Sequence, residues 1–517
     1  MRQLFVALTF LLVAACTREP AVKVAGETLV GKHDADVVAF LGVPYAEPPV
    51  GDLRWRAPQP LTSTVTQRDA TQFAPACMQT MRMLDWYRYV AETFGGSREY
   101  YPDLEVGEDC LYLNVWTPTL DRDARLPVMF WLYGGSNISG WSYERNYHGQ
   151  ALADTGVVVV TVGYRVGLFG FMSHPAMNPS SPVANFGLWD IISALHWVRN
   201  NIETFGGDPG RVTLLGESAG AHNTVALMAS NQARGLFHRA IGQSTSGIRS
   251  DLQPLAEAQR LGVDLAAAMG FAGGDELERL RRAPADQLLE RYVNDVSAGY
   301  QNPALDGMLF ERSPWETFRA GDFGDAQLVI GVNADEWWDY TDPGSDGEDV
   351  LRVAEDMSYI DAATAVGAVS DETTPRRAID RLKTADYFLC PSQALAAMMN
   401  AAGNDAWMYY FTRVREDEGG EKLRAYHGAE YPYVFATHDP YMRTTNADLE
   451  LTHIMQAYWR SFAASGDPNS EDTPEWPRFA APGFPVQELG TSVRTIAAPE
   501  PDLCGNPEPH DLRQGGE

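Results

Sequence analysis

The stretch "RVTLLGESAGAHNTVALMA", residues 211–229, narrows the fold more than any other. An apolar β-rich run gives way within a few residues to a helical pattern, with Ser218 at the corner. A serine there is a good helix cap, since its hydroxyl satisfies a free backbone N–H of the first turn. Here Gly216 and Gly220 flank it two positions away on either side. Small residues at those places let a strand and a helix approach closely around a sharp turn, the setting of a nucleophile elbow.

Other segments repeat the alternation. Short β-rich runs occur at "PVMFWL" (127–132), "VVVVTV" (157–162), "AQLVI" (326–330) and "WMYYF" (407–411). Between several of them lie helical patterns, clearest in "GLWDIISALHWVRNNI" (187–202). Near-continuous apolar strands alternating with helices predict an α/β fold with a mostly parallel sheet covered on both faces. Residues 250–300 have 3.6-residue periodicity and no strand signal, which predicts a helical insertion over one end of the sheet. Hydrophobic residues make up 45% of the chain and charged residues 21%, ample for one large core. No linker, repeat or charge block divides residues 28–505, so they are expected to form a single domain.

A serine hydroxyl is a poor nucleophile at neutral pH and needs a base, usually a histidine oriented by a carboxylate. On this architecture the chain order is Ser, then acid, then His. Four histidines follow any plausible acid: His427, His438, His453 and His510. His453 falls in a helical pattern and His510 in a polar tail, whereas His427 precedes Gly428 in a loop after the 407–411 strand. For the acid, Asp335 and Glu336 in "LVIGVNADEWW" lie just past the carboxyl end of a strand, where catalytic loops of open α/β sheets belong. Spacing does not separate the two. The "YGGSNISG" loop (133–140), with Gly134 and Gly135, follows the 127–132 strand and is suited to present backbone N–H groups to a developing oxyanion.

The N-terminus "MRQLFVALTFLLVAAC" has a cation, an apolar run too short to span a bilayer, and two alanines before Cys16. "VAAC" resembles a bacterial lipobox. The expectation is a lipoprotein signal peptide over 1–15, a lipidated Cys16 with a tether through 27, and a polar tail over 506–517. Such a chain would sit in the cell envelope facing the periplasm or exterior, anchored to a membrane by lipid. The remaining cysteines, Cys77, Cys110, Cys390 and Cys504, are even in number, as expected for two disulfides in an exported protein, with three pairings open. The net charge of −29 argues against nucleic-acid binding, because such a surface repels phosphate backbones.

Taken in order, these segments resemble the type-B carboxylesterases, the cholinesterase-like branch of the α/β-hydrolase fold. The likeness runs through "FLGVPYAEPPVGDLRW" (40–55), "EDCLYLNVWTP" (108–118), "FGGDPGRVTLLGESAG" (205–220), "NPALDGMLF" (302–310), "GVNADE" (331–336), "HGAEYPYVF" (427–435) and "SFAASGDPN" (461–469). It implies a central, mostly parallel sheet flanked by helices, with helical insertions over the active site. It also implies a serine hydrolase that cleaves small-molecule carboxylic esters through an acyl-enzyme, with no cofactor and no metal. By this resemblance Ser218 is the nucleophile, Glu336 the acid and His427 the base. Gly135, Ser136 and Ala219 match the oxyanion hole, and Glu217, Ser244 and Glu430 match polar positions around the triad. Cys77 then pairs with Cys110, and Cys390 with Cys504.

Three departures stand out. Ser136 replaces a third Gly, Trp337 replaces a Gly after the acid, and Trp86 does not align with the choline-binding tryptophan of cholinesterases. The substrate expected is an uncharged or weakly polar ester, with Trp337 and the Cys77–Cys110 loop supplying aromatic surface. The alternatives are a hydrolase of cationic esters and a non-catalytic adhesion protein.

Overall fold

The computed structural model describes residues 19–62, 65–245, 252–297, 299–358 and 360–505. The expected signal peptide, Cys16 and the tail over 506–517 lie outside these residues.

The central sheet has eleven strands among the described residues. In chain order these are β1 (Lys32–Asp34), β2 (Val37–Pro44), β3 (Tyr112–Thr117), β4 (Leu126–Leu132), β5 (Val158–Val162) and β6 (Gly207–Glu217). They continue with β7 (Arg239–Gln243), β8 (Gln327–Asn333), β9 (Ala406–Phe411), β10 (Val486–Leu489) and β11 (Val493–Ile496). Across the sheet the order is β11-β10-β9-β8-β7-β6-β4-β5-β3-β2-β1. The run from β5 through β10 is parallel, and antiparallel strands close both edges. The most central strands are buried on both faces, as in β5, where all five residues of VVVTV are buried. β-branched residues suit that position because they pack well on a pleated surface.

The helices include α1 (Arg82–Thr93), α2 (Ala219–Met228) and α3 (Pro375–Thr384). The 187–202 pattern is the helix Phe186–Asn201, most of which is buried. The 250–300 insertion is largely helical, over Leu255–Ala268, Glu276–Arg282 and Ala285–Arg291, and packs on Trp55, Leu168 and Phe169 in its own apolar cluster.

Two sequence expectations need correcting. The tether expected to run through residue 27 ends earlier: Ala21–Val24 pairs antiparallel with Glu27–Val30, and Val22 and Val24 are buried. Alternating apolar residues in so short a run carried too little signal to mark a strand. Likewise the insertion contains a two-residue strand, Gln253–Pro254, which pairs with Ala304–Leu305.

Cys77 is bonded to Cys110 and Cys390 to Cys504, the pairing that the family resemblance implied. The second bond ties the cluster of helices Gly347–Glu355, Ala362–Ala368 and α3 to the C-terminal turn Pro501–Cys504. It spans 114 residues, so replacing both cysteines by serine should destabilise the protein by about 4–5 kcal/mol on the chain-entropy model. Urea unfolding of the two proteins measures this difference, and equal midpoints would refute it.

Candidate active site

Four loops meet at the carboxyl ends of parallel strands in the middle of the sheet. The 133–140 loop follows β4, Ser218 follows β6, Glu336 follows β8 and His427 follows β9. Register sets these ends level: Gly216 lies opposite Leu132, Glu217 opposite Gln243, and Gln243 opposite Gly331.

Ser218 occupies the elbow. Its backbone has φ 54° and ψ −124°, a strained conformation for a residue with a side chain. The turn is tight enough that a Cβ on Gly220 would lie 2.2 Å from the Leu132 oxygen, and one on Gly216 would lie 2.5 Å from the Gly220 carbonyl carbon. Only glycine fits at either place. The Ser218 amide donates to the Gln243 carbonyl at 2.9 Å, pinning the elbow to β7.

Glu336 and His427 are paired. Glu336 Oε2 lies 2.6 Å from His427 Nδ1, and Glu336 Oε1 accepts from the Asn333 amide at 2.7 Å. Asp335 faces the other way, accepting hydrogen bonds from Arg377, Arg424 and the Ala425 amide. The structure thus distinguishes two neighbours that spacing left equivalent.

His427 Nε2 is 3.1 Å from Glu217 Oε1. Among the described residues no hydrogen bond joins Ser218 Oγ to this nitrogen; such bonds often tighten only on substrate binding. Glu217 Oε2 in turn accepts from the Tyr431 hydroxyl. Burial alone would lower the His427 pKa, but the carboxylates of Glu217 and Glu336 outweigh it and raise the imidazole to about 10. Burial pushes the Glu217 carboxyl up to about 8, against the lowering effect of His427. Glu430 is raised by burial too, and accepts from Gln243 Nε2 at 2.9 Å and Asn333 Nδ2 at 2.7 Å.

Gly135, Ser136 and Asn137 all have positive φ, which turns this loop sharply beside the elbow. A Cβ on Gly135 would lie 2.1 Å from the Ser139 oxygen. The amides of Gly135, Ser136 and Ala219 donate to no acceptor among the described residues. The end of the helical insertion braces the loop: the Gln301 amide donates to the Ser136 oxygen at 3.1 Å, and Asn137 Nδ2 to the Gln301 oxygen at 3.0 Å. Ser244 is buried and anchored by its backbone to Gly331 rather than bonded to the paired residues.

Ser218, His427, Gly135, Ser136 and Glu217 line one pocket of about 260 Å³. Its aromatic walls are Trp86, Tyr87, Tyr340 and Tyr431, with Met83 and Arg82 from the start of α1. Trp86 therefore does reach the site, stacked on Tyr340 with ring centroids 5.1 Å apart. Trp337, expected beside the triad, packs behind this wall against Tyr340, Tyr387 and Phe388. Sequence reasoning missed Tyr340, Tyr431, Asn333 and Gln243. The last two are polar residues ending apolar strands, a signal that was readable; the tyrosines carried none.

The family model described as "Carboxylesterase family" matches residues 18–498. The chain belongs to the carboxylesterase family. It is 36% identical over 510 residues to fumonisin B1 esterase of Sphingopyxis macrogoltabida, covering 93% of this chain and 88% of that one. It is 31% identical over 527 residues to carboxylesterase 1D of Rattus norvegicus, covering 91% of each. Among solved structures, a Geobacillus stearothermophilus carboxylesterase superposes with a TM-score of 0.79 at 29% identity, covering 93% of this chain and 98% of that one. A thermophilic PNB esterase gives 0.80 at 29%, covering 94% and 99%. This carboxylesterase is accordingly a serine hydrolase of carboxylic esters with the α/β-hydrolase fold.

Proposed function

We propose that Ser218 attacks the ester carbonyl, His427 takes and returns its proton, and Glu336 orients and compensates the imidazolium. The observation that carries this reading is the 2.6 Å contact of Glu336 with His427, the histidine that lines one pocket with Ser218. The amides of Gly135, Ser136 and Ala219 hold the oxyanion. Such donors are worth about 100- to 1,000-fold each in rate. Glu217, Ser244 and Glu430 brace the surrounding loops.

His427 must be neutral to accept the proton, so its raised pKa places the ascending limb of kcat/KM at alkaline pH. Glu217→Gln removes one of the charges that raise it, so the limb should move to lower pH. A pH profile of both proteins tests this; a limb that stays put or moves higher defeats the assignment.

The substrate is an uncharged or weakly polar ester of small to moderate size, which the aromatic lining and modest volume support. A cationic ester would meet the Arg82 guanidinium, while Glu217 is already engaged by Tyr431 and His427. Steering by the net charge of −29 would favour such an ester instead, but that field is screened within roughly 8 Å at 0.15 M salt. For p-nitrophenyl acetate, kcat/KM should change little with ionic strength. Choline esters as better substrates, with kcat/KM falling steeply as salt rises, would overturn the neutral-ester reading. No turnover of p-nitrophenyl, choline or other carboxylic esters would instead favour a non-catalytic role.

The domain is proposed to be carried on a lipidated Cys16 outside the cytoplasm. Intact-mass analysis of protein extracted from native membranes should show the added acyl mass; an unmodified Cys16 refutes it.

A further inference from the structure

Glu336 and His427 come from loops after different strands, and a 2.6 Å contact between them requires those loops to keep a fixed relation. A cluster of charges built on two buried carboxylates lies between the loops. Asp335, one residue before Glu336, accepts from Arg424 Nε at 2.7 Å and from the Ala425 amide at 3.1 Å, and its own amide donates to the Ala425 oxygen at 3.1 Å. Arg424 and Ala425 are three and two residues before His427. On the other side of Glu336, the Trp337 amide donates to Asp380 Oδ1 at 3.0 Å. Arg377 joins the halves: its Nη1 donates both to Asp335 and, at 2.7 Å, to Asp380 Oδ2. Both Arg377 and Asp380 are on α3, and neither lines the substrate pocket.

Asp335 is 2% exposed and Asp380 fully buried. Two buried carboxylates that meet on Arg377, with Arg424 also on Asp335, are an inefficient way to gain stability, because desolvation of the carboxylates offsets most of the attraction. What the arrangement does supply is geometry: the two N–H bonds of the planar Nη1 group point in fixed directions, one to Asp335 and one to Asp380.

We propose that Arg377 is a positioning residue for ester hydrolysis, clamping the Glu336 loop to the His427 loop through Asp335 and Asp380. This rests on the triad reading of Ser218, Glu336 and His427. Arg377→Lys keeps the charge but loses the planar, longer group that aims one nitrogen's two N–H bonds at the two carboxylates, and a tetrahedral ammonium on a shorter stem does not reproduce that aim. With p-nitrophenyl acetate, kcat should fall about 10- to 100-fold with KM within about twofold, the scale expected when catalytic groups drift by about 1 Å. The downfield proton NMR resonance of the His427–Glu336 hydrogen bond should shift or broaden in the folded variant. Adding Asp380→Asn leaves the lysine one carboxylate to hold and should restore part of kcat, a rescue that general damage does not give.

Should Arg377→Lys fail to fold, Arg424→Gln provides the second reading. It removes a half-exposed contact to the same Asp335, and the same signature should appear in smaller degree. A folded Arg377→Lys protein with wild-type kcat and an unshifted resonance overturns the proposal, as does an Arg424→Gln protein that behaves as wild type. Activity surviving in Ser218→Ala would instead remove the triad reading, whatever Arg377 does.

Discussion

Ser218→Ala is expected to lower kcat by about 10⁶-fold, the scale seen when one member of a cooperating triad is lost. The residual rate is what binding and the oxyanion donors supply without a covalent step. Because nucleophile and base act as a unit, adding His427→Ala should cost little more. The strained backbone at Ser218, φ 54° with ψ −124°, is set by Gly216, Gly220 and the Gln243 carbonyl rather than by the hydroxyl. The alanine protein should therefore melt close to the wild type. A fluorophosphonate should label Ser218, and peptide mapping by mass spectrometry reads this directly. Label on another serine, or substantial turnover by the alanine variant, would remove the mechanism.

Glu336→Gln should slow kcat by about 10⁴-fold with the fold intact. The amide keeps the shape of the carboxylate but gives the imidazolium no charge partner, and it can hold the ring in the wrong tautomer. Asp335→Asn should behave differently, although it is the adjacent residue. Asp335 bonds to Arg377, Arg424 and the Ala425 amide, so its loss removes a clamp and lowers the melting temperature as well as kcat. Steady-state kinetics and thermal melts on the two variants separate the roles. If Asp335→Asn loses more activity than Glu336→Gln, the acid has been assigned to the wrong residue.

The sequence by itself determined the architecture and most of the proposed site. A run such as "VVVVTV" is apolar at successive positions, so it suits a strand covered on both faces, and β5 is one. The elbow was legible because its constraint is local: two glycines and a serine within five residues leave few other turns for a strand entering a helix. The tyrosines of the pocket, the contact between Glu217 and His427, and the reach of Trp86 to Tyr340 were not legible. Tertiary structure also decided between Asp335 and Glu336. Neighbours on one loop share the same local pattern yet project in different directions, and what each meets comes from elsewhere in the chain. Glu336 meets His427, 91 residues on, while Asp335 meets Arg377, 42 residues on. A window of sequence records periodicity and turn chemistry. It does not record which side chains a packed sheet and its loops bring within 3 Å, because that depends on strand order, register and rotamers set by the whole core.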